Sequence, residues 1–310
     1  MKTTKTALRL LTAASLTLGV GLASSAHAQP PPPAGDVEAQ RHAIEQQARP
    51  TIEQQRKEAE QEAAKNLNND AAEAVKETRN AYNALQGNNP KEAMAAIERA
   101  TGKVDILLAR QPAAALVMSQ LEVQIIDAAP PDREGIKKLA KAAEKAVGDK
   151  EYPTARVELA GMISEIRIRT YNVPLATYPM ALKAAARLLD QQKPQEAQAL
   201  LGAALDTLVV VDRVIPLPLV VARAAIDRAE QLHNQDRGGA RMLLAVAKAE
   251  LERTKELGYA GNDPEYAAMD KQLADLDAQL KGKEDPSGAI ARLKDKLTAF
   301  YKRLYAKEHH

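Results

Sequence analysis

Gly87-Asn88-Asn89-Pro90-Lys91-Glu92-Ala93-Met94-Ala95-Ala96-Ile97-Glu98-Arg99-Ala100 is the stretch that decides the fold. Gly87, Asn88 and Asn89 end one helix, and Pro90 opens the next, because the N–H that proline lacks has no partner in a first helical turn. Upstream, Val75, Thr78, Tyr82 and Leu85 recur at helical spacing; downstream, Ala93, Ile97, Ala100, Val104 and Leu107 do the same. The segment reads as a helical hairpin.

The joint recurs along the chain. Counted from Pro90, Ala stands at +3, a large aliphatic at +7 and a small residue at +10. Pro194 gives Ala197, Leu201 and Ala204, Arg237 gives Ala240, Leu244 and Ala247, and Tyr152 gives Ala155, Leu159 and, more loosely, Met162. Spacings of 62, 42 and 43 residues between these starts suggest stacked helix pairs, in which small residues let helices approach closely. An alanine-rich bundle also yields such matches by chance.

Two segments break the helical period. Leu121-Glu122-Val123-Gln124-Ile125 and Glu165-Ile166-Arg167-Ile168-Arg169-Thr170 alternate apolar and polar residues and are rich in β-branched side chains. They are expected to pair as a two-stranded ribbon, with Glu122 and Gln124 across from Arg167 and Arg169. Between them, Ile136, Leu139, Ala143 and Val147 mark a helix that opens after Pro130-Pro131-Asp132. Leu182, Ala185 and Leu189 mark another, and further helices are expected over 195–212 and from near Pro216. Leu208-Val209-Val210-Val211, apolar all round, is expected to be buried on every side.

The last part of the chain carries two three-four seams, Tyr266, Met269, Leu273, Leu276 and Leu280, then Ile290, Leu293, Leu297, Phe300 and Leu304, joined by a turn over 282–288. They suggest an antiparallel coiled-coil hairpin appended to the rest. Between Val37 and Asn69, by contrast, large apolar residues are sparse (Val37, Ile44, Ile52, Leu67) and Pro50 interrupts them. This arm is expected to be frayed or to pack against another copy. The expected class is mainly α: stacked helical hairpins with a small two-stranded antiparallel β-ribbon and a C-terminal antiparallel hairpin. The expected layout is a signal peptide over 1–28, a flexible or helical arm over 29–69, a helical core with the ribbon over 70–235, and a helical extension over 236–310.

Export follows from the first residues. Lys2, Lys5 and Arg9 precede an apolar run from Leu10 to Ala23, and Ala26-His27-Ala28 is an A-x-A cleavage pattern before Gln29. Cleavage between Ala28 and Gln29 leaves 282 residues and turns a formal charge of +2 into −1. No later stretch is apolar enough for a membrane span. A periplasmic location is the expectation. The near-neutral balance gives no electrostatic case for nucleic acid, and no cysteine, no Trp and a single Phe leave neither a thiol nor an aromatic platform.

Catalytic patterns are missing as well. His42, His233, His309 and His310 form no metal-ligand spacing, no G-x-S-x-G elbow or phosphate-binding glycine pattern is present, and the abundant carboxylates read as solvated helix faces. No catalytic residue, cofactor or metal is assigned. Tyr171, Asn172 and Tyr178, where the second ribbon strand gives way to Pro174 and a helix, are the candidate ligand or client site, with ordinary tyrosine packing as the alternative.

Asn172-Val173-Pro174-Leu175, Leu188-Leu189-Asp190, Pro194-Gln195-Glu196-Ala197, Leu205 through Val211 with Asp212, and Ile215-Pro216-Leu217-Pro218-Leu219 together resemble the YfdX family of bacterial periplasmic stress proteins. Gly87 to Leu108 and Leu257-Gly258-Tyr259 add to the resemblance, which covers roughly residues 60 to 235. It implies a helical fold with a small ribbon, self-association, and chaperone-like protection of stressed or unfolded periplasmic proteins under heat, acid or antibiotic stress. The alternative it implies is binding of a small, drug-like molecule.

Overall fold

The computed structural model describes residues 34–306 except 261, 262 and 283. The expected signal peptide, its Ala28–Gln29 cleavage, prolines 30–33 and the His309–His310 pair lie outside the described residues.

A three-fold alternation organises the middle of the chain. Helices α2 (Asn69–Gln86) and α3 (Pro90–Arg110) lead into β1 (Leu116–Asp127). Helices α4 (Arg133–Gly148) and α5 (Tyr152–Ala160) lead into β2 (Ser164–Pro174), and α6 (Tyr178–Asp190) and α7 (Pro194–Asp206) into β3 (Val209–Pro216). Each hairpin turns through one residue in the left-handed region, at Asn88 (φ 56°), Lys150 (φ 63°) and Gln192 (φ 58°). The next N–H reaches back across the helix end in all three: Asn89 to Ala84 O at 2.8 Å, Glu151 to Ala146 O at 2.8 Å, Lys193 to Leu188 O at 2.9 Å. Around this common joint Ala81, Ala143 and Ala185 on the first helices, and Ala93, Ala155 and Ala197 on the second, are all buried. The repetition is therefore real for three of the four matches. The fourth, at Arg237, opens the second helix of a pair with a different turn, where Asp236 accepts from the Gly239 N–H at 2.8 Å, and no strand follows it.

Two of the hairpins pack on each other, α2 against α7 and α3 against α6, in one cluster that buries Ile97, Leu107, Leu182 and Leu201. Fully burying each such side chain contributes about 1.5–3 kcal/mol. The strands form one antiparallel sheet in the order β1-β2-β3. Glu122 faces Arg169 and Gln124 faces Arg167, as the alternation predicts. The ribbon gains a third strand, however, because Leu208–Val211 does not continue the preceding helix. Thr207 ends α7, its N–H on Ala203 O at 3.1 Å, and the valines, whose branched Cβ loses rotamer freedom in a helix but suits a pleated surface, enter β3. Val211 is buried and Val210 is exposed, so the run alternates and is not enclosed on every side.

After β3 come α8 (Leu217–Leu232), α9 (Arg237–Glu256), α10 (Pro264–Lys281) and α11 (Ser287–Ala306). Met269, Leu273, Leu276, Leu280, Ile290, Leu293, Leu297 and Phe300 are buried, as the seams predict, but in one cluster with Ala225, Ile226, Leu244, Ala247 and Leu251 of α8 and α9. The C-terminal hairpin is thus part of a helical bundle, and the boundary expected at 235 runs between two helices of the same core.

The N-terminal arm is a helix, α1 (Ala34–Ala64), that lies on its own chain. Ile44 and Ala48 enter the α8–α11 cluster, while Ala59 and Ala63 cover Ile166, Ile168 and Ile215 on the sheet. Counting large side chains alone underrates this helix; its buried stripe is mostly alanine. Pro50 inside it removes one backbone hydrogen bond, and the packing on both sides of it holds the helix in place.

Candidate functional site

The stripe on α1 has a gap. Ile44 and Ala48 seal one end and Ala59 and Ala63 the other, whereas the intervening turns present Thr51, Gln54, Gln55 and Glu58 to α8 and α11. Polar side chains of this length cannot fill an apolar seam, so a groove of about 450 Å³ stays open. Ala59, Leu219, Val220 and Leu297, all buried, form its floor, and Arg223, Thr298, Tyr301 and Lys302 stand opposite α1. A smaller cavity of about 240 Å³ shares Thr51, Gln55, Val220 and Arg223, extending the opening along α8. Inside, the Gln55 Oε1 is buried without a hydrogen bond, and Arg223 Nη1 donates to Thr298 Oγ1 at 2.9 Å.

Charged groups anchor α1 beside this groove. Glu250 on α9 is fully buried and accepts from Arg41 Nε at 2.6 Å. Arg41 also reaches Glu45 and the carbonyl of Pro131, and Arg253 Nη2 donates to Pro130 O at 3.2 Å. Burial pushes the Glu250 carboxyl above its ordinary range, with Arg41 and Arg253 opposing the shift. Tyr259, whose phenol is raised by burial and by the nearby Glu165 charge, donates to Glu165 Oε2 at 2.8 Å and accepts from the Ser164 N–H at 3.0 Å. These contacts tie α9 and the segment after it to α1 and to the sheet; none presents a nucleophile to an open cleft.

The three residues singled out in the sequence are not brought together as one site. Tyr178 is fully buried among α2, α3, α6 and α7, its phenol raised by desolvation. Its hydroxyl faces Thr78 without closing a hydrogen bond. Tyr171 points to the opposite face of the sheet from Asn172, since neighbours along a strand alternate, and it sits beside Arg169. Arg169 makes a paired contact with Asp212 at 2.8 and 2.7 Å, so the β2 arginine finds its counter-charge on β3. Asn172 is buried, donating to Val209 O at 3.0 Å and to Thr170 Oγ1 at 3.1 Å. It lines a polar cavity of about 500 Å³ beyond the C-terminal end of α1, with Lys65, Asn66, Gln111, Thr170 and Arg213 in the walls.

His42 is exposed next to Glu45, and His233 is buried at the end of α8, Nδ1 2.5 Å from Glu230 O and Nε2 3.3 Å from Ser287 Oγ. Among the described residues no group of three or more His, Asp or Glu side chains is placed to hold a metal ion. No helix among them is long and apolar enough to cross a membrane.

The groove was not foreseen from the sequence. Its signal was present in α1, where Ile44, Ala48, Ala59 and Ala63 keep one face while Thr51 and Gln55 occupy the turns between.

No curated protein matches the chain. Among solved structures, that of YfdX from Salmonella Typhi aligns at 13% identity with a TM-score of 0.34, covering 49% of this chain and 93% of that one. The family model described as YfdX protein matches residues 74–214. That segment runs from within α2 to β3 and so contains nearly all of the three helix–helix–strand units; over it, this chain is similar to the YfdX family.

Proposed function

We propose that this chain is a non-enzymatic, exported periplasmic protein that protects other periplasmic proteins under heat, acid or antibiotic stress, holding their exposed apolar segments in the groove between α1, α8 and α11. The observation that carries the reading is the groove itself: a buried aliphatic floor left open between polar walls. Such a surface takes an apolar side chain from an extended or helical segment while its Gln, Thr and Lys rim offers hydrogen bonds to the segment's backbone. The leader-like first 28 residues and the resemblance to stress proteins support the compartment and the role.

The test is light scattering from a heated periplasmic client with and without equimolar protein, comparing the native chain with Thr298→Trp, which fills the groove from a half-buried position. The native chain is expected to suppress scattering and the variant to lose most of that effect. Equal suppression by both would move client binding away from the groove. Deleting α1 is not a clean alternative, because it would uncover the floor of two clusters.

The polar cavity at Asn172 favours a second reading, in which the chain binds a small molecule. Its lining of amide, hydroxyl and cationic groups suits a polar ligand. Asn172→Leu would abolish binding of such a ligand while leaving client protection intact.

A further inference from the structure

We infer that the free edge of β1 is a docking site for an extended segment of another protein, which adds to the sheet as a fourth antiparallel strand and sets a lysine or arginine opposite Glu122. The inference is independent of the groove and rests on how the two edges of the sheet differ.

β1 and β3 are the outer strands of the order β1-β2-β3, and an outer strand offers main-chain N–H and C=O groups to any chain that can lie alongside it. Along β3 that offer is withdrawn. The strand has 8 residues, carries Asp212 and Arg213, ends at Pro216, and is packed by α11. β1 has 12 residues and neither a proline nor a base. Only its first part is closed: the Asn68 N–H donates to Met118 O at 3.0 Å, and the pairing with β2 slips between Met118 and Gln120. Among the described residues no main-chain group other than those of β2 pairs with residues 120–126. Gln120, Gln124 and Ile125 are exposed along that stretch. Natural sheets blunt their edges as a rule, so an open stretch of this length points to a strand that is used.

The side chains define the occupant. Leu121 and Val123 pack with Ile166, Ile168 and Ala59 beneath α1, and Ile125, 40% exposed, continues that row without cover. An added strand with aliphatic residues at alternate positions extends the same layer. On the other face Glu122 lies across from Arg169, but Arg169 is held by Asp212 at 2.8 and 2.7 Å. Among the described residues the Glu122 carboxylate receives the Gln124 amide and no cation. A base on the incoming strand supplies the missing charge. A second copy of β1 does not, because the charged residues of this strand are Glu122 and Asp127, both acids.

The probe is a capped peptide of about seven residues in which valine alternates with threonine around a central lysine. It is labelled for fluorescence anisotropy and titrated with the protein up to about 1 mM. The native protein is expected to bind it, and to bind the version with a central glutamate at least about threefold more weakly. Glu122→Lys, at a half-buried position, should reverse that preference with an unchanged far-ultraviolet spectrum. Backbone pairing has its own signature. Methylating the amide nitrogens of the valines removes donors on one side of the extended peptide, and methylating those of the threonines and lysine removes them on the other. One of the two methylated peptides should lose binding at least about tenfold while the other keeps it. No binding of the lysine peptide, the same affinity for both methylated peptides, or a charge preference unmoved by Glu122→Lys would each overturn the inference.

Discussion

Arg41 on α1 and Glu250 on α9 meet at 2.6 Å, with the carboxylate wholly shut off from solvent. The pair is 209 positions apart in sequence and fastens the N-terminal helix to the C-terminal bundle. Burial makes the ionised carboxylate expensive, and Arg41 and Arg253 recover part of that loss.

Arg41→Ala should therefore destabilise the protein by about 3–5 kcal/mol at neutral pH, because it strands a buried charge. The folded protein binds the Glu250 proton more tightly than the unfolded chain does, since the folded pKa lies above the ordinary 4.5. This group's contribution to stability is accordingly present at low pH and is lost as pH rises from 4.5 through the raised folded value. Removing Arg41 raises that value further, so the variant's deficit should shrink on acidification. Urea unfolding of both proteins at a series of pH values between about 5 and 7.5 measures it; a deficit that grows on acidification would contradict the assigned shift.

The three joints make a second prediction. Lys150 and Gln192 hold φ of 63° and 58°, a region that strains any residue with a Cβ. Lys150→Gly and Gln192→Gly should each stabilise the fold by about 0.5–1 kcal/mol once glycine's greater freedom in the unfolded chain is set against the relief of strain. Thermal unfolding of the two single variants and their combination is the check, and lower midpoints would show that the side chains contribute more than the turn costs.

Equivalent repeat positions should respond unequally to truncation. Leu201→Ala opens a cavity in a packed seam and should cost about 2–5 kcal/mol, whereas Leu159→Ala, at a 52% exposed site, should cost under about 0.5 kcal/mol. Denaturant titrations of the two variants measure both costs. A large cost at Leu159 would mean that the hairpin buries it within its own chain.

The difference between Leu201 and Leu159 also shows where the sequence stops being legible. Both stand at +7 from a joint, and local spacing identifies both as seam residues, because helical period and turn chemistry act over a few residues. What covers a seam is decided by a distant segment. The same limit explains Tyr178, which stands at a proline-flanked junction and yet is sealed by helices on either side of the sheet-forming segments. It explains Val209 to Val211 too: apolar on every side in sequence, they become a strand because β2 offers an edge, with Val210 opposite Tyr171 and Val211 opposite Thr170. The sheet alternation at Glu122 and Arg169 could be read, since register is set by a period of two. Their ion pairing could not, because Asp212 lies 43 positions away.

Helix α1 closes the groove and depends on its neighbours for its own order, so it should be detachable without unfolding the rest. Ala48 is wholly buried among α1, α8 and α9 residues, and Ala48→Glu would place an unpaired carboxylate there, an arrangement that proteins avoid by moving the group into water. Once lifted, α1 has too narrow an apolar stripe to remain helical by itself. The expected result is rapid hydrogen exchange and proteolysis over residues 34–64 in the variant, with the α2–α3–α6–α7 cluster around Tyr178 still protected. If exchange instead accelerated together across the whole chain, α1 would be part of a single cooperative unit and the groove could not be opened separately.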